Sequence, residues 1–470
     1  MSRRTIRLDS VAPIVRGYPH AVVADGLVFI SGMRGGRPDL DRSFSDLPES
    51  FRQNGFSRFG VSDECDFATE AWTAHENLDL VLKAAGTDAS QVLRQHMWLQ
   101  DKRVFPAYER VRMAWQEVPA PSSCLGVGDV PGRFGHLIGL EAMAVVPDEN
   151  PLFPRRSTVR TFDNKDFPSA AFYSQAVRCG PLTFLAGHIP IQTDRPGQPV
   201  IAGYADIPQE GRFLATGRSH PDSRHGPIAA QTWYTYEKIR ENLAAQGMEM
   251  SDIKHVAVML HDVRDFDAFH EVHRRIFGDK APALIVTIVN EVGHRGTRIE
   301  IEPTALDPRA GIRVIEADWP CPPPFAGPAA VGVGGLYMFA GMLGLNAAGR
   351  LVSHSSELDD PVGRRVAADL QRFEDTPGFT AQCWAAWSLL AQVAASLRMP
   401  LDDIAKTTVY VSDAKDIWIY EEVRECFLSS VGKELPAAEF VTLRGPGPAA
   451  RAVVQIEASA VSAATGAAHP

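Results

Sequence analysis

The stretch GTRIEIEPTAL, Gly296 to Leu306, decides how this chain is read. Side chains alternate along a β-strand, so Ile299 and Ile301 point one way and Glu300 and Glu302 the other. A water-facing side would hold two carboxylates at no cost, and that is the expectation from the strand alone. A pocket-facing pair would instead need partners, or one member would take up a proton. The surroundings of the strand decide between these.

Working outward, the strand is the last element of a plan that occurs three times. LVFISG (27–32) recurs as LTFLAG (182–187) and LYMFAG (336–341), each after a Gly-containing turn, the pattern of a hairpin. Three helical stretches then align on Trp72, Trp233 and Trp384. Strand-like runs follow and end at Asp101, Asp262 and Asp413, and a second helix follows each. The closing strands LIGLEAMAV, RIEIEPTAL and VVQIEASAV share Glu141, Glu302 and Glu457 in one slot. Turn-rich VPDENP and LDPRAG separate the copies, giving repeats at 1–149, 150–308 and 309–470. Each copy carries a long polar insert without clear periodicity, at 33–67, 192–229 and 346–380. GVGG at 332–335 reads as a hairpin turn and not as a phosphate loop.

The chain has 470 residues, 45% hydrophobic and 22% charged, an ordinary globular composition. No apolar run approaches the roughly 20 residues that span a bilayer. The start, MSRRTIRLDSVAP, has no apolar segment after its basic residues, so it does not read as a secretory signal. Six cysteines without a CxxC pair fit reduced thiols in a cytoplasm. A net charge of -10 repels a phosphate backbone and argues against a nucleic-acid partner. The expectation is a cytoplasmic protein with a small-molecule substrate, no membrane and no cofactor.

The FISG hairpin, the Asp-ended third strand and the IEIE closing strand resemble the RidA/YjgF/UK114 family, also labelled L-PSP endoribonuclease. The resemblance covers nearly the whole chain, three times over, outside the inserts. It implies an α+β fold of three RidA-like, chorismate-mutase-like units forming a covalent pseudo-trimer, with central sheets, outer helices and clefts between repeats. Such enzymes hydrolyse reactive imines and enamines to keto acids and ammonia.

What the resemblance implies for single residues differs between copies. The family arginine that clamps a substrate carboxylate is replaced by Ser122 or Ser123 in PAPSSCLGV, by Leu284 in KAPALIVTIV and by Ala438 in LPAAEFVTL. The family glutamate associated with the hydrolytic water matches Gly139, Glu300 and Gln455. Only the middle copy keeps a carboxylate, so the resemblance places Glu300 at a cleft. The family aromatic matches Tyr18 and Tyr173, with Gly327 in the third copy. Met33, His188 and Met342 follow the hairpins, and His188 is a candidate acid/base. The candidate catalytic set is therefore Glu300, Tyr173 and His188. Candidate substrate-binding residues are Tyr18, Arg34 as a substitute clamp, Ser122, Ser123, Leu284 and Gln455. His270 and His273, three apart on a helix, read as a solvated face and not as a metal site. The leading expectation is a divergent hydrolytic deaminase, or a proton-transfer enzyme, acting on a small imine, enamine or related nitrogen compound. The alternative is a non-catalytic ligand-binding or chaperone-like protein that keeps the fold.

Overall fold

The computed structural model describes residues 2–462, apart from 16, 54, 57–63, 132–135, 161–171, 194, 198 and 430–433. The strands form three mixed sheets accompanied by helices, an α+β architecture. Contacts divide the chain into two compact units, Met1–Ala186 with Leu435–Val441, and Gly187–Glu434 with Thr442–Pro470.

In the first unit the sheet of the first repeat runs in the order Arg3–Ile6, Ala21–Ala24, Leu27–Ile30, Ile138–Val145, Val92–Leu99, Ser122–Gly126. The last two strands are parallel and the rest antiparallel. Helices Glu64–Ala85 and Phe105–Trp115 supply Leu78, Val81, Tyr108 and Val111 to a core completed by Ile138, Leu140, Ala142 and Ala144 of the closing strand. Burial of each large apolar side chain contributes about 1.5–3 kcal/mol, which fixes the strand's register and hence which residues point away from the helices. The hairpin of the second repeat, Ala176–Cys179 and Leu182–Leu185, with Arg156–Arg160 beside it, also belongs to this unit.

In the second unit Ile253–Leu260 lies between parallel Ala283–Ile288 and antiparallel Ile299–Leu306. The third repeat orders Val314–Ala317, Ala330–Val333, Leu336–Phe339, Val454–Val461 and Ile404–Val411. Gly334 and Gly335 both have positive φ, 59° and 92°, as a two-residue hairpin turn requires, so GVGG is a turn as expected.

The repeated landmarks have physical jobs. Asp101, Asp262 and Asp413 each cap a short 3-10 turn by accepting the backbone N–H of Arg103, Arg264 and Lys415. The hydrogen bond from Arg264 holds the Asp262 carboxyl well below the usual range. The aligned tryptophans anchor the inserts. Trp72 packs on Phe51, with ring centroids 4.9 Å apart, and Gly211 and Gly363 lie against Trp233 and Trp384 so closely that a Cβ would sit 2.4 and 2.1 Å from the rings. The inserts contain short helices, among them Glu49–Arg52 and Pro361–Leu370, which their sequences did not signal.

Two expectations are corrected. Every residue of Ile299–Leu306 is buried, so Glu300 and Glu302 do not lie on a solvated face. His273 is fully buried and hydrogen-bonded to Tyr236 at 2.7 Å, and His270 accepts the Ala326 N–H, so this helical face is packed. The first repeat makes the same pair with the partners exchanged, His75 to Tyr108 at 3.2 Å. Burial pushes both His75 and His273 down to about 3.

Candidate functional site

The slot at 139, 300 and 455 and the strand carrying the replaced arginine are handled differently in the two units. The register settles the first copy. Gln95 faces Ser122 as Val256 faces Leu284, and Gln95 and Val256 match when Val92 is laid on Ile253, so Ser122 fills the arginine slot.

In the first unit, the Gly32 N–H at the end of the hairpin donates to the Ala438 carbonyl at 2.9 Å, and the Ala438 N–H donates to Ser31 Oγ at 2.9 Å. These bonds carry Glu439 over Gly32, where a Cβ would lie 2.2 Å from Oε2. Arg34 meets this carboxylate with both terminal nitrogens, at 2.6 and 3.1 Å, and its Nε donates to the Pro131 carbonyl. The Phe440 N–H also donates to Glu439. A Cβ added to Gly139 would lie 2.6 Å from Arg34 Nη1, so the guanidinium fills the space that a side chain at 139 would take. Tyr18 is buried nearby with its ring edge-on to Phe440, 5.8 Å between centroids. The structure thus brings Tyr18 and Arg34 together, but corrects the role expected of Arg34. Its fork is engaged by Glu439, with side-chain exposures of 4% and 0%, and is not open to a substrate carboxylate.

Ser122 accepts a hydrogen bond from Arg112 at 2.7 Å, and Arg112 pairs with Glu109. A guanidinium therefore reaches the arginine slot of the first repeat from the neighbouring helix. The signal was in the sequence, because YERVR and YEEVR place Arg112 and Arg424 in one slot. Ser123 is buried beside it.

In the second unit, the Gly341 N–H donates to the Leu284 carbonyl at 3.1 Å, the counterpart of the Gly32 bond. Gln455 stands over Gly341 and donates from Nε2 to the carbonyls of Val286 and Pro446 at 3.0 and 2.7 Å. Leu284 and Gln455, both buried, thus each reach Gly341, and the amide is held by main-chain carbonyls.

Glu300 is buried on the closing strand opposite Met259. His188 exchanges both backbone hydrogen bonds with Ile301, at 2.8 and 3.0 Å, so its side chain shares the face of Ile301. Its Nε2 lies 3.3 Å from the Asn242 amide on helix Ser219–Ala244. His188 is therefore on the helix-covered face and Glu300 on the opposite one. Alternation along the strand keeps these two members of the expected catalytic set apart. Tyr173 is half-buried in the first unit, whereas Glu300 and His188 belong to the second.

Two of the shared glutamates have the following cross-strand partners. Glu141 meets His96 Nδ1 at 2.5 Å, and Glu457 accepts from the Tyr410 hydroxyl at 2.7 Å. Among the described residues no group of three His, Cys, Asp or Glu could hold a metal, and no helix is long and apolar enough to cross a membrane.

Comparison with known proteins places this geometry in a family. The family model described as Endoribonuclease L-PSP matches residues 164–307, the second repeat. A RutC family protein of Pyrococcus horikoshii is 31% identical over 133 residues, which are 28% of this chain and 85% of the relative. The RutC family protein UK114 of Drosophila melanogaster is 30% identical over 145 residues, 30% of this chain and 89% of the relative. The solved structure of RidA from an Antarctic Psychrobacter is 26% identical, covers 30% of this chain and 98% of its own, and gives a TM-score of 0.23. With a one-third share of its length matching nearly whole relatives, the chain belongs to the RutC/RidA family.

Proposed function

We propose that the protein is a divergent imine or enamine hydrolase in which the middle repeat carries the chemistry. The observation behind this reading is the comparison of one slot. At 139 the side chain is absent and Arg34 fills its place, and at 455 an amide is tied to two carbonyls. At 300 a carboxylate remains, buried on the face away from the helix. Glu300 would hold or deprotonate the water that attacks the C=N carbon, and the amine would leave after proton return. His188, on the other face of the closing strand, is left out. In this reading the three repeats do the work of three subunits, each free to diverge as strict symmetry forbids.

A second reading, a ligand-binding protein without turnover, is favoured by the closed Arg34–Glu439 pair, which shows one such position converted to an internal ion pair. A ribonuclease, as the family label would have it, is opposed by the net charge of -10. The test is release of ammonia and keto acid from imines generated in situ from a panel of amino acids and amines. Acceleration by the wild type that is lost in Glu300→Gln supports the first reading. No acceleration across the panel supports the second.

A further inference from the structure

The first repeat holds a cavity of about 710 Å3 between its insert and its first long helix, within the size range of small-molecule sites. The floor of this cavity departs from the other repeats. The slot at 70, 231 and 382 reads Glu, Gln, Gln. Gln231 accepts the Arg298 N–H at 2.8 Å and donates to the Gly296 carbonyl at 3.0 Å. Gln382 does the same with the Val453 N–H and the Arg451 carbonyl, at 3.0 and 2.9 Å. A glutamine thus suffices for the structural task, which is to tie the helix to the start of the closing strand.

Glu70 keeps one half of that task, accepting the Leu137 N–H at 3.1 Å. Its charge serves a second contact, His136 Nδ1 at 3.1 Å. His136 stands where the other repeats have Thr297 and Ala452. The carboxylate is held in place, since a Cβ on Gly35 would lie 2.1 Å from Glu70 Cγ, and the imidazole lies over Gly36. A carboxylate oxygen accepts from Nδ1–H, and in the Nδ1–H tautomer of an imidazole Nε2 presents a lone pair. Among the described residues the hydrogen bond of this ring is made through Nδ1.

The charges around the cavity are arranged to match. Its arginines are already engaged: Arg34 by Glu439, Arg37 by Asp39 at 2.9 Å and Arg42 by Glu76 at 2.6 Å. Asp41, also in the lining, has no ion pair among the described residues. The groups left to meet a ligand are acceptors: the imidazole Nε2, the Asp41 carboxylate and hydroxyls such as that of Thr73.

We propose that this cavity is a binding site for a small organic amine, its ammonium donating to His136 Nε2 and facing Asp41, with Glu70 fixing the imidazole. The site is separate from Glu300 and goes beyond the imine-hydrolase reading. Isothermal titration of the full chain with ethanolamine and 1,4-diaminobutane tests it, with acetate and inorganic phosphate as comparison ligands. The expected result is saturable amine binding, weakened about tenfold or more in Glu70→Gln and in His136→Gln, as expected for loss of a charge-assisted hydrogen bond. Glu70→Gln installs the residue that the other repeats use, so the fold and the Leu137 bond are retained, and a thermal melt checks this. His136→Gln provides the same readout without touching the helix tie. Absence of saturable amine binding overturns the proposal. So does binding indifferent to both variants, or a preference for acetate or phosphate. The titration reads binding and not turnover, so its failure is distinguishable from failure of the Glu300 reading.

Discussion

The region around Gly32 in the first unit and the region around Gly341 in the second begin from the same bond, a glycine N–H donated to the carbonyl of the arginine-slot residue. They end differently. Over Gly32 stands a carboxylate from the third repeat locked to Arg34, and over Gly341 stands the neutral amide of Gln455. A fused chain can solve one packing problem with an ion pair in one place and an amide in another. The lesson is that equivalent positions of the repeats can be filled by unlike structural contacts.

The contrast breaks most sharply at the ion pair. Glu439→Gln leaves Arg34 buried without its counter-charge, and urea unfolding should show a loss of about 3–5 kcal/mol. The double change Arg34→Met with Glu439→Leu should recover most of it, because apolar residues of similar volume replace a buried pair at little cost. A loss below about 1 kcal/mol for Glu439→Gln would mean that the pair behaves as a surface ion pair. Gln455→Ala, with no charge left behind, should cost less than Glu439→Gln.

Acid compares the two units next. His75 and His273 are neutral when folded, with values pushed down to about 3 from an ordinary 6.5. Between those limits the unfolded chain binds more protons, so stability is full above about 6.5 and falls as pH drops. Each histidine should contribute about 1.4 kcal/mol of loss per pH unit below that point. Unfolding curves at pH 7 and 5.5 should therefore differ by about 3 kcal/mol from this pair. His273→Phe and His75→Phe should each remove about half of that slope. An unchanged slope in both would refute the buried-neutral description.

The smallest effect tests the close approaches. Gly32→Ala and Gly341→Ala each place a Cβ 2.2 Å from an oxygen, of Glu439 and of Gln455 respectively. Overpacking of this kind costs about 1–3 kcal/mol. The larger loss is expected at Gly32, where the displaced group is bound by Arg34, and equal melting shifts would erase the distinction between the regions.

Much of the fold was legible because its landmarks act within one repeat. The strand-ending aspartates cap their own turns, the tryptophans anchor their own inserts, and two-residue turns need glycine. The Arg34–Glu439 pair was not legible, since its members lie 405 residues apart and belong to different copies. The face of His188 was also hidden, because hairpin periodicity stops before it and only pairing with Ile301 sets its direction. The Glu70 site was readable in principle as the one charged member of a Glu, Gln, Gln slot. It was missed because His136, its partner, lies 66 residues away beside the closing strand.

The central claim, that one of three equivalent slots retains chemistry, is tested most directly by comparing imine-dependent ammonia release across them. The account predicts that Glu300→Gln lowers turnover about 100-fold or more, while the Arg34→Met, Glu439→Leu pair and Gln455→Ala leave it within about twofold. Turnover that survives Glu300→Gln and falls in either of the others would contradict it.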